Sequence, residues 1–464
     1  MSDLEGLTRR LIKKGELDNV IIERIVQEYL DYKDISKDSA RKHAKAVLEE
    51  CKKSDISNIP NQFIKNLLEV DNADVSVGKQ GVGCRGAGDF FVHKLIGDLA
   101  ETSQKPLLAP SSLDDAGAVK ISHIKGFEDH ENLIVVSKME GIHSRLSDFP
   151  YICGFHVTRA CLRDLYVKGA KPISIMVDVH LGDDADVAKL FDFMVGISTV
   201  SELTNVPITA GSTLRIGGDM VIGDRLVGGI SAVGIVKENL LARRNIRTGD
   251  KIIMTEGAGG GTIVTTAIYS GNHEVVKETL NIKFLEACKL ILKSDYLKDI
   301  RAMCDVTNGG LRGDLYEINY EANCGVTIHE NKVRELVNPH VLGLLEKVNV
   351  DYLGVSLDSL LIYCAEHAVN QIISDLNNMG IKSYEIGYVD NSKEVKIINF
   401  DGKGMSVLPR FRESAYTKIK QVIGEETPLE KDDMEQKIEL AAKKSLEKRK
   451  IIINYIKNQK KLKS

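Results

Sequence analysis

Ionisable side chains lie close together in one largely apolar stretch of the chain, residues 133–181. Lys138, Glu140 and His143 follow an apolar run, and Asp164 lies farther on in a segment of helical periodicity. A charged group beside near-continuous apolar sequence needs a metal, a ligand or an ion partner, because burial of an unpaired charge is costly. The stretch is therefore predicted to form a functional site.

Two more acidic segments lie at the edges of apolar runs. Asp114 and Asp115 precede a strand-like segment, and Asp305 ends a short strand that is followed by Thr307-Asn-Gly-Gly310 and a helix. Adjacent carboxylates on a turn are often only solvated turn formers, and Asp305 can equally be a helix N-cap. Together with the carboxylates of residues 133–181, they have the pattern expected of clustered Mg²⁺ ligands.

Glycine-rich segments provide candidate phosphate loops. Residues 76–93 contain Lys79 and Arg85 among closely spaced glycines, so the loop can wrap N–H groups and cations around phosphates or can serve as a connector. Cys84 in this loop is either an activated nucleophile or, more simply, an unreactive thiol. The Gly257–Thr262 segment follows a strand and opens a helix, but it has neither the P-loop lysine nor GxGxxG spacing.

The elements that position these residues are predicted as an α+β arrangement. Apolar runs over 133–136, 173–179 and 226–236 predict strands, and Gly217-Gly218-Asp219 predicts a hairpin turn. The predicted organisation comprises a helical N-terminal extension with a break at 34–38, two α+β domains and a charged helical tail, with the bounds 1–75, 76–240, 241–425 and 426–464.

Composition narrows the class of protein. The 464 residues are 43% hydrophobic and 28% charged, with a net charge of −4, which predicts a globular protein without a general preference for nucleic acid. No apolar run approaches the ~18–20 residues of a membrane span. Eight cysteines without CxxC pairs indicate reduced thiols and a cytoplasmic location.

Five segments, in order, resemble one enzyme superfamily, the ATP-dependent enzymes related to aminoimidazole ribonucleotide (AIR) synthetase. This superfamily includes formylglycinamidine ribonucleotide synthetase, selenophosphate synthetase, thiamine-monophosphate kinase and hydrogenase maturation factor HypE. The resemblance covers about 76–425, and the matching segments are Asp114-Asp115-Ala116, KMEGIHSRL (138–146), RACLRDLYVKGAKP (159–172), VPITAGSTLR (206–215) and AMCDVTNGGL (302–311).

The resemblance implies a two-domain AIR synthetase-like fold whose N-terminal domain supplies strands to a dimer barrel, extended here by terminal helices. It implies a homodimer that uses ATP and Mg²⁺ to phosphorylate or activate an oxygen of a small molecule. Asp115, Glu140, Asp164 and Asp305 would bind the metal, and Lys138 and His143 would be catalytic. The residues implied to bind the nucleotide are Lys79, Gly83, Arg85, Asp114, Arg145, Thr307, Gly309 and Gly310.

Two departures keep other functions open. Ser212 stands where relatives have an acidic residue, so a nucleotide-binding regulatory protein without catalysis is the alternative. The C-terminus lacks the cysteine on which HypE carries its modified group, and this departure counts against the function of HypE. An assembly factor that holds a partner protein with its terminal helices is a third possibility.

Overall fold

A computed structural model describes residues 1–57, 59–103, 106–130, 132–237, 240–307 and 309–461. The helices are α1 (Leu4–Lys13), α2 (Asp18–Tyr32), α3 (Lys37–Lys53), α4 (Gln62–Leu68), α5 (Val77–Gln80), α6 (Ala87–Ala100), α7 (Pro150–Val167), α8 (Ala188–Thr204), α9 (Gly261–Tyr269), α10 (Lys283–Ile291), α11 (Gly310–Ala322), α12 (Glu330–Arg334), α13 (Pro339–Lys347), α14 (Val369–Asn378), α15 (Lys418–Ile423) and α16 (Lys431–Lys461). The strands are β1 (Ser2–Asp3), β2 (Gly117–Lys120), β3 (Leu133–Gly141), β4 (Lys171–Leu181), β5 (Ile208–Arg215), β6 (Val221–Ile222), β7 (Leu226–Lys237), β8 (Lys251–Thr255), β9 (Ile300–Asp305), β10 (Gly325–His329), β11 (Leu360–Cys364), β12 (Ser383–Asp390), β13 (Val395–Ile398) and β14 (Gly404–Ser406).

The first large sheet has five strands in the order β2-β3-β7-β4-β5. Only the β4–β5 pair is parallel. Helix α7 packs on β3 and β7, and nearly all of its residues are buried. Pro150 occupies the first turn of α7, where its missing N–H costs nothing, and the left-handed Gly169 (φ 82°) lies just beyond the end. These two signals fix the ends of the helix that carries Arg163 and Asp164.

The second sheet has seven strands in the order β14-β13-β10-β12-β8-β11-β9. Its strand β11 is buried along its whole length, as expected for an apolar strand covered on both faces. Strand β9 lies at the edge and ends at Asp305, which α11 follows closely. The strand therefore delivers the Asp305 carboxylate to the surface between the two sheets.

The terminal segments form helical layers beside the sheets. Helices α1–α3 share a small core of their own that includes Ile21, Ile25 and Leu48, and β1 pairs with β6. The break between α2 and α3 confirms the one predicted at 34–38. Helix α16 contacts α4 and α6, where Arg449 donates to the carbonyl oxygen of Leu99 at 2.8 Å. In the described part of the chain, no helix combines the length and the apolar character that crossing a membrane requires.

The predicted hairpin at Gly217-Gly218-Asp219 is wrong. Strand β5 pairs in parallel with β4, whereas β6 pairs with the N-terminal β1, so the turn joins strands of two different sheets. As a result β5 forms an edge of the five-stranded sheet, and from Thr209 to Arg215 its residues are exposed.

Candidate active site

A cavity of about 470 Å³ lies between the two sheets. It is bounded by the turn before β2, the end of β3, one face of α7, the first turn of α9 and the end of β9. Seven carboxylates and five cationic side chains line it. A cavity this rich in paired charges is suited to an ionic ligand rather than to an apolar one.

Helix α7 places a row of functional side chains along one wall. His156, Arg159, Arg163 and Asp164 line the cavity and recur at the three- and four-residue spacing that keeps side chains on one helix face. With a rise of about 1.5 Å per residue, the eight positions from His156 to Asp164 span roughly 12 Å. The row therefore connects an acidic end of the cavity to an end that contains histidine.

At the acidic end, Lys138 binds two of the predicted metal ligands. Its ammonium nitrogen lies 2.7 Å from Asp164 Oδ2 and 3.4 Å from Glu140 Oε2. Arg163 contacts Asp305 and also pairs with Asp358 at 2.7 Å. Burial raises the pKa of Asp305 well above its usual range, and although Arg163 opposes this, the neighbouring Asp164 and Asp115 add to it.

The Asp114–Asp115 turn is held by two buried cations. Lys168 Nζ lies 2.6 Å from Asp114 Oδ1 and 3.0 Å from Asp115 Oδ2. Arg243 contacts Asp115 and pairs with Glu317 at 3.1 Å. Burial alone would raise the pKa of Asp115, but Arg243 and Lys168 hold it well below its usual range. The turn is thus an organised, ionised part of the cavity wall and not a solvated loop.

The predicted site residues fall into two groups. Those that line the cavity are Gly83, Arg85, Asp114, Asp115, Lys138, Glu140, His143, Asp164, Asp305 and Thr307. The others lie outside it. Lys79 pairs with Glu430 at 2.7 Å, and Arg145 lies 3.9 Å over the ring of Tyr269.

Gly309 and Gly310, which follow Thr307 in the sequence, make structural contacts with neighbouring segments. The N–H of Gly309 donates to Ser414 Oγ at 3.1 Å, so it already has an acceptor. A Cβ at Gly310 would lie 2.3 Å from the carbonyl oxygen of Leu353, which explains the absence of a side chain there. In this structure both glycines are tightly packed, Gly309 against Arg85 and Gly310 against Leu353.

The loop before α6 is anchored by one carboxylate. Asp89 accepts from the N–H groups of Gly83 and Arg85 at 2.9 and 2.8 Å, and the Arg85 side chain reaches Glu317 at 2.9 Å. Burial raises the pKa of Cys84. A raised pKa disfavours the thiolate, so the environment of Cys84 is the opposite of one that activates a nucleophile. All eight cysteines are free thiols.

The carboxylates have the donor chemistry that Mg²⁺ prefers. Asp115 Oδ2, Asp164 Oδ1 and Asp305 Oδ2 are buried oxygens without a hydrogen bond in the described chain, and each lies beside a cation, Lys168 or Arg163. Among the same residues, however, no three His, Cys, Asp or Glu side chains are arranged to hold a bare ion. Mg²⁺ is commonly held by one or two carboxylates together with substrate phosphates. The residues therefore fit an ion that arrives with a phosphorylated ligand.

The opposite end of the cavity contains two neutral histidines. Burial lowers the pKa of His143 to about 4, and burial with nearby Arg159 lowers the pKa of His156 well below its usual value. Both face the first turn of α9, where a Cβ on Gly261 would lie 2.5 Å from the His143 ring. At neutral pH each ring can accept a hydrogen bond or a proton at its unprotonated nitrogen, but neither ring is the imidazolium that would act as an acid.

Sequence reasoning missed several residues that the structure brings into or behind the cavity wall, namely His156, Arg159, Lys168 and Arg243. The helical period identifies one of them, because counting back eight residues from Asp164 reaches His156. No local signal marks Lys168 or Arg243, because each acquires its role from partners far away in sequence.

The fold and the charged cavity define the class to which this protein belongs. Residues 113–236 match the AIR synthase related protein, N-terminal domain, and residues 247–399 match the AIR synthase related protein, C-terminal domain. The chain belongs to the AIR synthase related proteins. The matched ranges contain the five-stranded sheet and most of the seven-stranded sheet, which confirms the predicted α+β fold.

Within this family, the chain is similar to uncharacterized protein MJ1416 of Methanocaldococcus jannaschii, with 44% identity over 99% of this chain and 100% of that protein. It is 29% identical to selenide, water dikinase of Pelobacter propionicus over 46% of this chain and 58% of the relative. It is 23% identical to phosphoribosylformylglycinamidine cyclo-ligase of Clostridium perfringens over 65% and 93% of the two chains.

Solved structures share the fold at lower identity. HypE in a HypE–HypF complex aligns with a TM-score of 0.54 and 17% identity, covering 69% of this chain and 99% of that one. ThiL complexed with AMPPCP and TMP aligns with a TM-score of 0.51 and 16% identity, covering 70% and 96%.

Proposed function

We propose that this protein is a Mg-ATP-dependent enzyme that transfers the γ-phosphoryl group of ATP to an oxygen of a small molecule. The observation that carries the proposal is the acidic end of the cavity. Four carboxylates that the sequence singled out, Asp115, Glu140, Asp164 and Asp305, line one cavity together with Lys138 and Arg163. Separate carboxylates interleaved with cations match the electrostatic needs of phosphoryl transfer.

The charge balance of the cavity explains why a metal ion would be needed. Seven carboxylates are interleaved with five cations in the lining, so the phosphates of a bare triphosphate would lie beside like charges. Mg²⁺, when bound, neutralises phosphate charge and polarises the group being transferred. The buried oxygens of Asp115, Asp164 and Asp305, which here contact the cations Lys168 and Arg163, would hold it.

The chain's own residues would orient the phosphates. Lys138 lies beside Asp164 and Glu140, where an ammonium group can bind a phosphate oxygen without leaving its carboxylate partners. Arg85, paired with Glu317, also lines the cavity and would bind the nucleotide from the glycine-rich loop. His143 is neutral and is positioned to accept a proton from the acceptor substrate.

Relatives support a nucleotide as the ligand. The name selenide, water dikinase denotes a kinase, the name cyclo-ligase denotes a ligase, and the ThiL structure contains AMPPCP. Their sequences differ too much from this chain to specify its acceptor. The acceptor, the homodimer and the cytoplasmic location all stay predictions.

The proposal is tested by measuring ADP formation with Mg-ATP and a panel of acceptors that includes amides, carboxylates and phosphate monoesters. We expect one acceptor to accelerate ADP release. Nucleotide binding with no acceleration across the panel would favour the regulatory alternative. In this structure Ser212 lies on the exposed strand β5 and not among the described residues of the cavity wall, so its loss of an acidic group leaves the four carboxylates in place.

The homodimer is supported by the unpaired edge of the five-stranded sheet. Strand β5 is eight residues long and exposes Leu214, which is 57% accessible. A long exposed edge with apolar side chains is a site where another chain pairs. A second copy of this chain is the partner that the family resemblance implies.

A further inference from the structure

The first turn of α9 and the facing side of α7 form a small polar pocket at the histidine end of the cavity. Gly260, Gly261, Thr262 and His156 all line it. His156 is 4% exposed and Thr262 is 1% exposed. Neither His156 Nδ1 nor Thr262 Oγ1 has a hydrogen-bond partner within the described residues. Two unpaired polar atoms buried in a cavity wall indicate that a ligand completes their hydrogen bonding.

The hydrogen bonds behind His156 determine which ring nitrogen carries its proton. Thr279 Oγ1 lies 2.7 Å from the carbonyl oxygen of Val276 and 3.2 Å from His156 Nε2. A carbonyl oxygen only accepts, so the single hydroxyl proton of Thr279 points to Val276. Thr279 can then only accept from His156, which places the ring proton on Nε2. His156 Nδ1 is left as a bare lone pair facing the cavity.

Arg159 does not satisfy this lone pair. Its guanidinium donates to the carbonyl oxygens of Thr279, Asn281 and Gly259 at 2.8, 2.7 and 3.0 Å, and it pairs with Asp358. Gly260 leaves space beside His156, where a Cβ would lie 3.2 Å from Arg159 Nη2 and 3.9 Å from His156 Nδ1. A ligand atom can therefore occupy the position that a side chain would otherwise fill.

The facing wall supplies donors. The first N–H groups of an α-helix have no partner within the helix, and α9 begins at Gly261 with no side-chain cap. The Thr262 hydroxyl adds a donor that can rotate toward the same space. The pocket thus presents donors from α9 and one acceptor from α7 across a narrow gap.

We propose that this pocket binds the acceptor substrate through a group that both donates and accepts hydrogen bonds, of which a primary carboxamide is the simplest example. Its carbonyl oxygen accepts from the first turn of α9 or from Thr262, and its N–H donates to His156 Nδ1. A carboxylate or a fully ionised phosphate is disfavoured, because its oxygen lone pairs would face the Nδ1 lone pair. This inference rests on the proposed function for the identity of the ligand as a substrate.

The test uses the full-length protein labelled with ¹⁵N in its histidine rings, observed by NMR without nucleotide. The His156 signals are assigned by their loss in His156→Asn. We expect Nδ1 of the free protein to have the resonance of an unprotonated ring nitrogen. Added acetamide should shift that resonance in the direction of hydrogen-bond acceptance. Acetate and N,N-dimethylacetamide, at the same concentration, should leave it unmoved, because neither has a donor.

A proton found on Nδ1 in the free protein would overturn the inference. So would an equal shift with acetate, or no shift with acetamide. The measurement contains no ATP, so a failure of the proposed phosphoryl transfer appears separately, as no acceptor-dependent ADP formation from Mg-ATP by the unmodified protein. Thr279→Val provides a matched control: it removes the acceptor for Nε2–H, and the ring should then become a mixture of the two tautomers.

Discussion

Replacing Asp164 with asparagine removes one negative charge from the acidic end of the cavity while keeping the size of the side chain. At 2.7 Å, the attraction between Asp164 and Lys138 is about 6 kcal/mol at an effective dielectric constant of about 20. Glu140, at 3.4 Å from the same ammonium, retains about 5 kcal/mol on that scale. Lys138 therefore keeps nearly half of its compensation in the variant.

Removing one partner of a buried ion pair typically destabilises a protein by about 3–5 kcal/mol. Because Glu140 remains and the amide can still accept a hydrogen bond, we expect Asp164→Asn to cost about 2 kcal/mol of unfolding free energy, less than a total stability of roughly 5–15 kcal/mol. The variant should fold. Residues that hydrogen-bond to the ligands of a metal typically contribute 10–100-fold to the metal affinity. Loss of a direct ligand should therefore weaken Mg-AMPPCP binding by about 100-fold or more.

Isothermal titration calorimetry measures the affinity, and urea unfolding measures the stability. Asp178→Asn is the matched control, since its carboxylate is 51% exposed on β4, where it contacts His180 at 3.1 Å. Unchanged Mg-AMPPCP affinity in a folded Asp164→Asn protein would remove Asp164 from the metal site and refute the reasoning above.

Three further changes probe other parts of the structure. Lys168→Met should lower the free energy of unfolding in urea by about 3–5 kcal/mol, because it strands a buried pair of carboxylates; exposed Lys171→Met should leave it nearly unchanged. The folded pKa of His143 is about 4, below its usual 6.5, so the unfolded chain binds more protons than the folded protein as the pH falls. Lowering the pH from 6.5 to 5 should therefore reduce the free energy of unfolding by about 2 kcal/mol, and His143→Gln should abolish this reduction. Leu214→Lys on β5 should dissociate the proposed homodimer in sedimentation velocity, whereas Val422→Lys on α15 should not; a protein that is monomeric without any substitution would contradict the homodimer.

Local sequence signals were sufficient for much of the fold. The segment that carries Asp164 has helical periodicity, and its helix ends at Val167, two residues before the left-handed Gly169. The strand over Leu133–Val136 extends as β3 to Gly141, which brings Lys138 and Glu140 to the cavity. In both cases the information lies within a few residues.

Pairing across long sequence separations is what the sequence left undetermined. The turn at 217–219 looked like a hairpin, but β6 pairs with β1 at the opposite end of the chain. Lys168 and Arg243 bind the Asp114–Asp115 turn across 54 and about 129 residues, and no local pattern marks such partners. Lys79 was assigned to phosphate because of its glycine-rich surroundings, whereas its ammonium pairs with Glu430.

The central claim is that the carboxylates at one end of the cavity hold a divalent ion only together with a nucleotide's phosphates. Calorimetric titration of AMPPCP into the unmodified protein, once with Mg²⁺ and once with EDTA, tests it most directly. The account predicts binding with Mg²⁺ and none, or much weaker binding, with EDTA, and little heat from Mg²⁺ alone. Equal affinity for AMPPCP in Mg²⁺ and in EDTA would contradict it.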